Sequence, residues 1–218
     1  MKLFQPVVPE AAQHPSFRKM LEVQFTTSRE MMQHIASGMQ DIDGSFVREF
    51  QTDGFDARVW ELYMHAYTQD VRFIRDVAYD RPDFVLARRS LQMSIECVTT
   101  NPTKTSTDAG ETGALQPSDM VDDFFNEIPS RLASALQSKV DKGYHRLPQA
   151  KGKPLVLAVA PFHSPDAYSI TDAALSNMLY GFTWEAISVG TEVQRVRRDL
   201  DGHTRRGRTI PSNFFSWP

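Results

Sequence analysis

The stretch Arg81-Pro82-Asp83-Phe84-Val85-Leu86-Ala87-Arg88-Arg89-Ser90-Leu91-Gln92-Met93-Ser94-Ile95-Glu96 decides how this chain is read. Two short apolar runs, Asp83 to Ala87 and Leu91 to Val98, flank a basic turn and read as paired strands. Each carries a carboxylate, Asp83 on the first and Glu96 on the second. An ionised carboxylate in apolar surroundings is unfavourable unless it is paired or metal-bound. The two are therefore candidates to share a cation, and Mg²⁺, which takes oxygen ligands and keeps several of its waters, suits such a pair.

Working outward, Phe55 to Tyr67 places apolar residues at Phe55, Val59, Leu62, Tyr63 and Ala66, the 3.6-residue period of a helix. Ser16 to Met39 carries a similar pattern, and Asp41 to Gly44 signals a turn. After the helix, Val71 to Tyr79 reads as a further strand before the two already described. Asn101 to Pro117 reads as a long loop. Ser118 and Asp119 cap a predicted helix from Met120 to Lys142, kinked or divided at Pro129 and ended by Gly143. Lys153-Pro154 leads into Leu155 to Ala160, an unbroken apolar run of the kind buried on both faces of a sheet. The expectation is an α/β fold: helix, three-stranded meander, helix, strand.

Composition narrows the function classes. The chain has 218 residues, 41% of them apolar, and a net charge of -3. No run approaches the roughly 20 apolar residues of a membrane span, and the beginning of the sequence lacks a signal-peptide layout. The expectation is a cytoplasmic protein with no membrane partner. The single cysteine, Cys97, excludes intrachain disulfides and cysteine-rich zinc modules. Beside Glu96 in an apolar strand it reads as a small core residue rather than a nucleophile. Six histidines form no His-x-x-x-His pair, and His163, after the last apolar run, reads as a turn residue. Thr99, Thr100 and Asn101 read as a strand end rather than a phosphate site.

Element order and acidic positions together resemble the core of the PD-(D/E)xK, or restriction endonuclease-like, nuclease superfamily. Pro82-Asp83 matches the first half of its motif and Glu96-Cys97-Val98 the second, with Val98 standing where the lysine is expected. The wider pattern, from Phe55-Asp56-Ala57-Arg58-Val59-Trp60-Glu61-Leu62-Tyr63 through Arg81-Pro82-Asp83-Phe84 and Thr99-Thr100-Asn101-Pro102 to Lys153-Pro154 and Ala160-Pro161-Phe162, is similar to a poorly characterised bacterial group. The resemblance covers about residues 50 to 165. It implies an N-terminal helical extension over residues 1–50, a nuclease-like core over 51–165, and a β-rich C-terminal extension over 166–218. Because members of that group run longer, it also implies C-terminal truncation.

The resemblance further implies metal-dependent hydrolysis of phosphodiester bonds, with DNA favoured and RNA left open as substrate, and with Mg²⁺ or Mn²⁺ held by Asp83 and Glu96. Glu61, on the first helix, would complete or support that site. Its alternative reading is a solvated stripe with Arg58 and His65. In the superfamily the lysine migrates to the helix after the third strand, which makes Lys139 its candidate replacement, against a plain surface lysine. Six arginines between Glu192 and Ile210, namely Arg195, Arg197, Arg198, Arg205, Arg206 and Arg208, flank the hairpin signal Asp201-Gly202 and suggest a basic ribbon for phosphate contact. A charged edge hairpin is the other reading. The competing function is a catalytically inactive module of the same fold that binds nucleic acid or a protein partner, with Val98 marking lost chemistry. A homo-oligomer of purely structural role is a third class.

Overall fold

The computed structural model describes residues 1–101, 126–162, 167–190, 192–205 and 208–211. It is a mixed α/β chain divided into two compact units, Met1–Thr99 with Lys139–Ala160, and Thr100–Ser138 with Pro161–Pro218.

In the first unit, helices α1 (Pro15–Met20), α2 (Thr26–Ser37), α3 (Phe46–Gln51) and α4 (Phe55–Asp70) precede the sheet. The long helix expected from Ser16 to Met39 is thus two helices with a 3₁₀ turn, Val23–Phe25, between them. Arg29 steadies that break by donating to the carbonyls of Met20 (2.6 Å) and Glu22 (2.7 Å). Residues before position 50 pack with the start of α4 in one core, where Phe4, Phe17 and Phe55 surround the fully buried Phe50. Truncating such a phenylalanine costs about 3–5 kcal/mol.

Helix α4 ends in a Schellman closure: the Phe73 N–H donates to the Thr68 carbonyl (2.8 Å) and the Arg72 N–H to that of Gln69 (2.8 Å). Arg72 takes the left-handed φ of 60° that glycine usually supplies there. This closure uses up the start of the strand expected from Val71 to Tyr79, leaving only β1, Ile74–Arg75.

Strands β2 (Phe84–Arg88) and β3 (Leu91–Thr100) are an antiparallel hairpin pairing Phe84 with Ile95 and Arg88 with Leu91. Arg89 in the two-residue turn has φ 54°, the sign that tight hairpin loops require at their first position. Phe84, Leu86, Ile95 and Cys97 pack with Met64 of α4 into a second core. Strand β4 (Leu155–Pro161) completes the order β1-β2-β3-β4. It runs parallel to β3, with Ser94 N–H donating to Pro154 O (2.9 Å) at one end and Phe162 N–H to Thr100 O (2.9 Å) at the other, so the sheet is mixed. The expectation that β4 is buried on both faces is corrected: it lies at one end of the strand order, only Ala160 is fully buried, and Val156 is exposed.

Helix α5 spans Ile128–Asp141. Pro129 is its second residue, preceded by the π-helical Asn126 and Glu127, so the α-helix begins at the proline expected to kink or divide a longer one. Gly143, at φ 66°, lies beyond its end. The expected start of this helix at Met120, and the loop after Asn101, lie outside the described residues.

In the second unit, helix α6 (Ala167–Tyr180), which the sequence reading did not anticipate, precedes two hairpins. Strands β5 (Phe182–Val189) and β6 (Glu192–Asp199) form the first, and β7 (Gly202–Arg205) and β8 (Arg208–Pro211) the second. The expected single arginine hairpin turning at Asp201-Gly202 is corrected. Asp201 precedes β7 and Gly202 begins it, so this dipeptide separates the two hairpins, because β6 finds its partner upstream in β5.

Candidate active site

The β2–β3 register, extended one residue past the Phe84–Ile95 pair, sets Asp83 opposite Glu96. Their side chains bridge the two strands. The Cys97 N–H donates to Asp83 Oδ2 (2.7 Å) and the Asp83 N–H to Glu96 Oε2 (3.3 Å). Glu96 is 2% exposed. Burial, and then the Asp83 charge, push its carboxyl above the ordinary glutamate value.

Lys139, near the C-terminus of α5, puts Nζ 2.6 Å from Glu96 Oε1. Burial works against the ammonium, but the Glu96 carboxylate outweighs it and holds Lys139 charged. This side chain, 43 residues from Glu96 in sequence, sets a cation on Glu96, while Val98 is buried.

Glu61 comes from α4 and is also buried, so the Arg58, Glu61 and His65 stripe is not a solvated face. Arg58 Nη1 donates to both Glu61 oxygens, at 2.9 and 2.7 Å, and the rest of its guanidinium binds Glu49 at 2.5 and 3.0 Å. Burial, followed by the Asp83 charge, raises the Glu61 carboxyl to about 7 despite Arg58. Burial likewise opposes the Arg58 charge, but Glu61 and Glu49 together hold it firmly protonated. Among the described residues, no group of three or more His, Cys, Asp and Glu side chains is gathered as a metal-ligand set. The structure brings together Asp83, Glu96 and Lys139, with Glu61 close enough to feel Asp83 but engaged by Arg58.

Sequence reasoning missed Arg75. Its Nη2 donates to the Asp83 carbonyl (2.7 Å) and its guanidinium lies over the Phe84 ring, 4.6 Å from the centroid. It thereby fixes the backbone on which Asp83 sits. An arginine following Phe73-Ile74 just before the Asp83 strand was the available signal. Cys97 is buried with its thiol pushed far up by desolvation and then by the Asp83 charge, which removes it as a nucleophile.

The arginine positions separate. Direct cross-strand partners share a face, so Trp184 with Arg197 and Ala186 with Arg195 lie on one side of β5–β6, and Thr183 with Arg198 on the other. Arg197 lies over Phe182 (4.3 Å to the centroid) and Arg195 over Trp184 (5.4 Å). Arg197 also pairs with Asp199 (2.8 Å), and Arg198 with Glu185 (2.6 Å). Arg205 and Arg208 are cross-strand partners in β7–β8, and Arg206 lies outside the described residues. So does His163, while Thr100 and Asn101 use their carbonyls to accept from Phe162 N–H and Arg131 Nη1.

Among the described residues, no helix is long and apolar enough to cross a membrane. No family model, no curated protein and no solved structure matches this chain.

Proposed function

We propose that the first unit is a restriction endonuclease-like core and that the protein is a metal-dependent nuclease hydrolysing phosphodiester bonds, DNA before RNA. The observation that carries this reading is Lys139 Nζ on Glu96, with Asp83 on the adjoining strand. That grouping resembles the acid, acid and lysine constellation of the motif, with the lysine arriving from a helix.

The donor set fits Mg²⁺ or Mn²⁺: oxygen ligands on neighbouring strands, where one or two carboxylates suffice for an ion that keeps its waters. Asp83 and Glu96 would hold it. The ion would supply Lewis-acid stabilisation of the charge that builds on the phosphate. Lys139 would orient the attacking water or steady the phosphate charge. Glu61, fixed by Arg58, would support the carboxylate pair, and Arg75 would keep the Asp83 backbone in place. The face of β5–β6 bearing Arg195, Arg197 and Trp184 would meet the nucleic acid strand, combining phosphate attraction with base stacking.

The inactive binding module is favoured by a different observation: Glu96 and Glu61 each already hold a cationic partner, Lys139 and Arg58. Incubation with supercoiled double-stranded and circular single-stranded DNA separates the two. Cleavage in Mg²⁺ or Mn²⁺ that is lost in EDTA, Asp83→Ala and Glu96→Ala supports the nuclease. Salt-sensitive binding with no cleavage supports the binding module.

A further inference from the structure

A cleft of about 700 Å³ opens between the C-terminal half of α4 and β1, lined by His65, Gln69, Arg72, Arg75 and Gln40. Among the described residues its lining carries no Asp or Glu. Buried nitrogens usually find partners, yet Arg75 Nε and Nη1 are buried and unpartnered, and His65 Nε2 makes no well-formed hydrogen bond although the Gly38 backbone lies beside the ring. His65 is 5% exposed. Glu61 and Asp83 act on Arg75 electrostatically, but among the described residues neither forms an ion pair with it, and its guanidinium donates to the Asp83 carbonyl through Nη2. The Schellman closure carries Arg72 to the same cleft, held in its left-handed conformation by the two backbone bonds of the helix end.

We propose that this cleft is an oxyanion pocket that takes a phosphate group. A guanidinium matches phosphate geometry, and a small shift of the Arg75 side chain would bring its two unused nitrogens, now shielded from solvent, to the ion. His65 and the Gln69 amide supply further hydrogen-bonding groups, and Arg72 adds charge. The Arg75 field already reaches His65 and, after burial, helps keep its imidazole below the ordinary histidine value. A bound anion offsets that field. The phosphate has two possible sources, the free ion and the 5′ end of a strand. The strand-end source rests on the nuclease reading, while occupation of the pocket by phosphate does not.

The test is binding in EDTA, where cleavage plays no part. Inorganic phosphate is added to the whole protein and to Gln69→Glu, which places a carboxylate in the cleft at an exposed position and leaves the Arg75 bond to Asp83 intact. Phosphate stabilises proteins generally by exclusion from their surface, so the readout is the difference between the two. A larger Tm rise in the wild type, matched in Arg72→Gln by a smaller one, supports the pocket. Equal rises in all three overturn it. A 5′-phosphorylated oligodeoxynucleotide binding at least about tenfold tighter than its 5′-hydroxyl twin, an advantage of 1.4 kcal/mol lost in Gln69→Glu, assigns the strand end. Equal binding of the two, with the Tm difference present, assigns the free ion.

Discussion

The carboxylate site of the first unit and the arginine ribbon of the second handle charge in opposite ways. Asp83, Glu96, Lys139, Glu61 and Arg58 are wholly or partly buried and linked by hydrogen bonds of defined geometry. The β5–β6 arginines stand on strands exposed along most of their length. Surface ion pairs contribute about 0–1 kcal/mol and are weakened by salt. A buried pair is different, because removing one partner strands the other charge. The proposed function assigns chemistry to the first region and reversible strand contact to the second, and each assignment can be broken separately.

The largest expected effect is on cleavage. Lys139→Met should lower the rate by about 10²- to 10⁴-fold, the range for a positioned proton-transfer group, while Arg198→Ala leaves it within error. A Lys139→Met enzyme of full activity would reduce the lysine to an ion-pair partner.

A smaller effect concerns stability. The Glu61 carboxyl lies at about 7, above its ordinary value, and Glu96 is raised as well, so the folded chain binds more protons than the unfolded chain between those limits. The Glu61 contribution is fully present below the unfolded value of about 4.3 and is lost as pH rises through 7, and the Glu96 contribution falls in the same direction. Urea unfolding in EDTA should therefore show a loss on the order of a few kcal/mol between pH 5 and pH 8. Glu61→Gln should flatten that slope. A slope that Glu61→Gln leaves unchanged would break the account of that carboxyl.

The smallest effects lie on the ribbon. Trp184, 53% exposed, should contribute about 1–3 kcal/mol to single-strand binding if it stacks a base. Arg195→Ala should lower the salt slope of binding by about one, whereas Arg198→Ala, whose charge Glu185 already balances, should lower it less. Equal slopes for the two variants would remove the distinction between the faces.

Much of the first unit was legible because its signals are local. Phe55 to Tyr67 has a helical period, and α4 spans Phe55–Asp70. The Asp83 and Leu91 runs bracket a two-residue turn, and β2–β3 follow. What sequence could not show was which long-range pairs form. That Arg58 takes both Glu61 oxygens, that Arg75 holds the Asp83 carbonyl, and that β6 pairs with β5 instead of turning at Asp201-Gly202 all depend on three-dimensional neighbours. The break in the N-terminal helix was hidden for a related reason, since Arg29 stabilises it through backbone carbonyls that carry no residue-specific pattern.

The central claim is that Asp83 and Glu96 hold a divalent cation beside Lys139. Calorimetric titration of Mn²⁺ into the whole protein tests it most directly, with Asp83→Asn and Lys139→Met alongside. The account predicts a saturable site in the wild type that Asp83→Asn abolishes and Lys139→Met retains, since the lysine competes for Glu96 and is no ligand. No saturable binding in the wild type, or binding that Asp83→Asn leaves untouched, would contradict it.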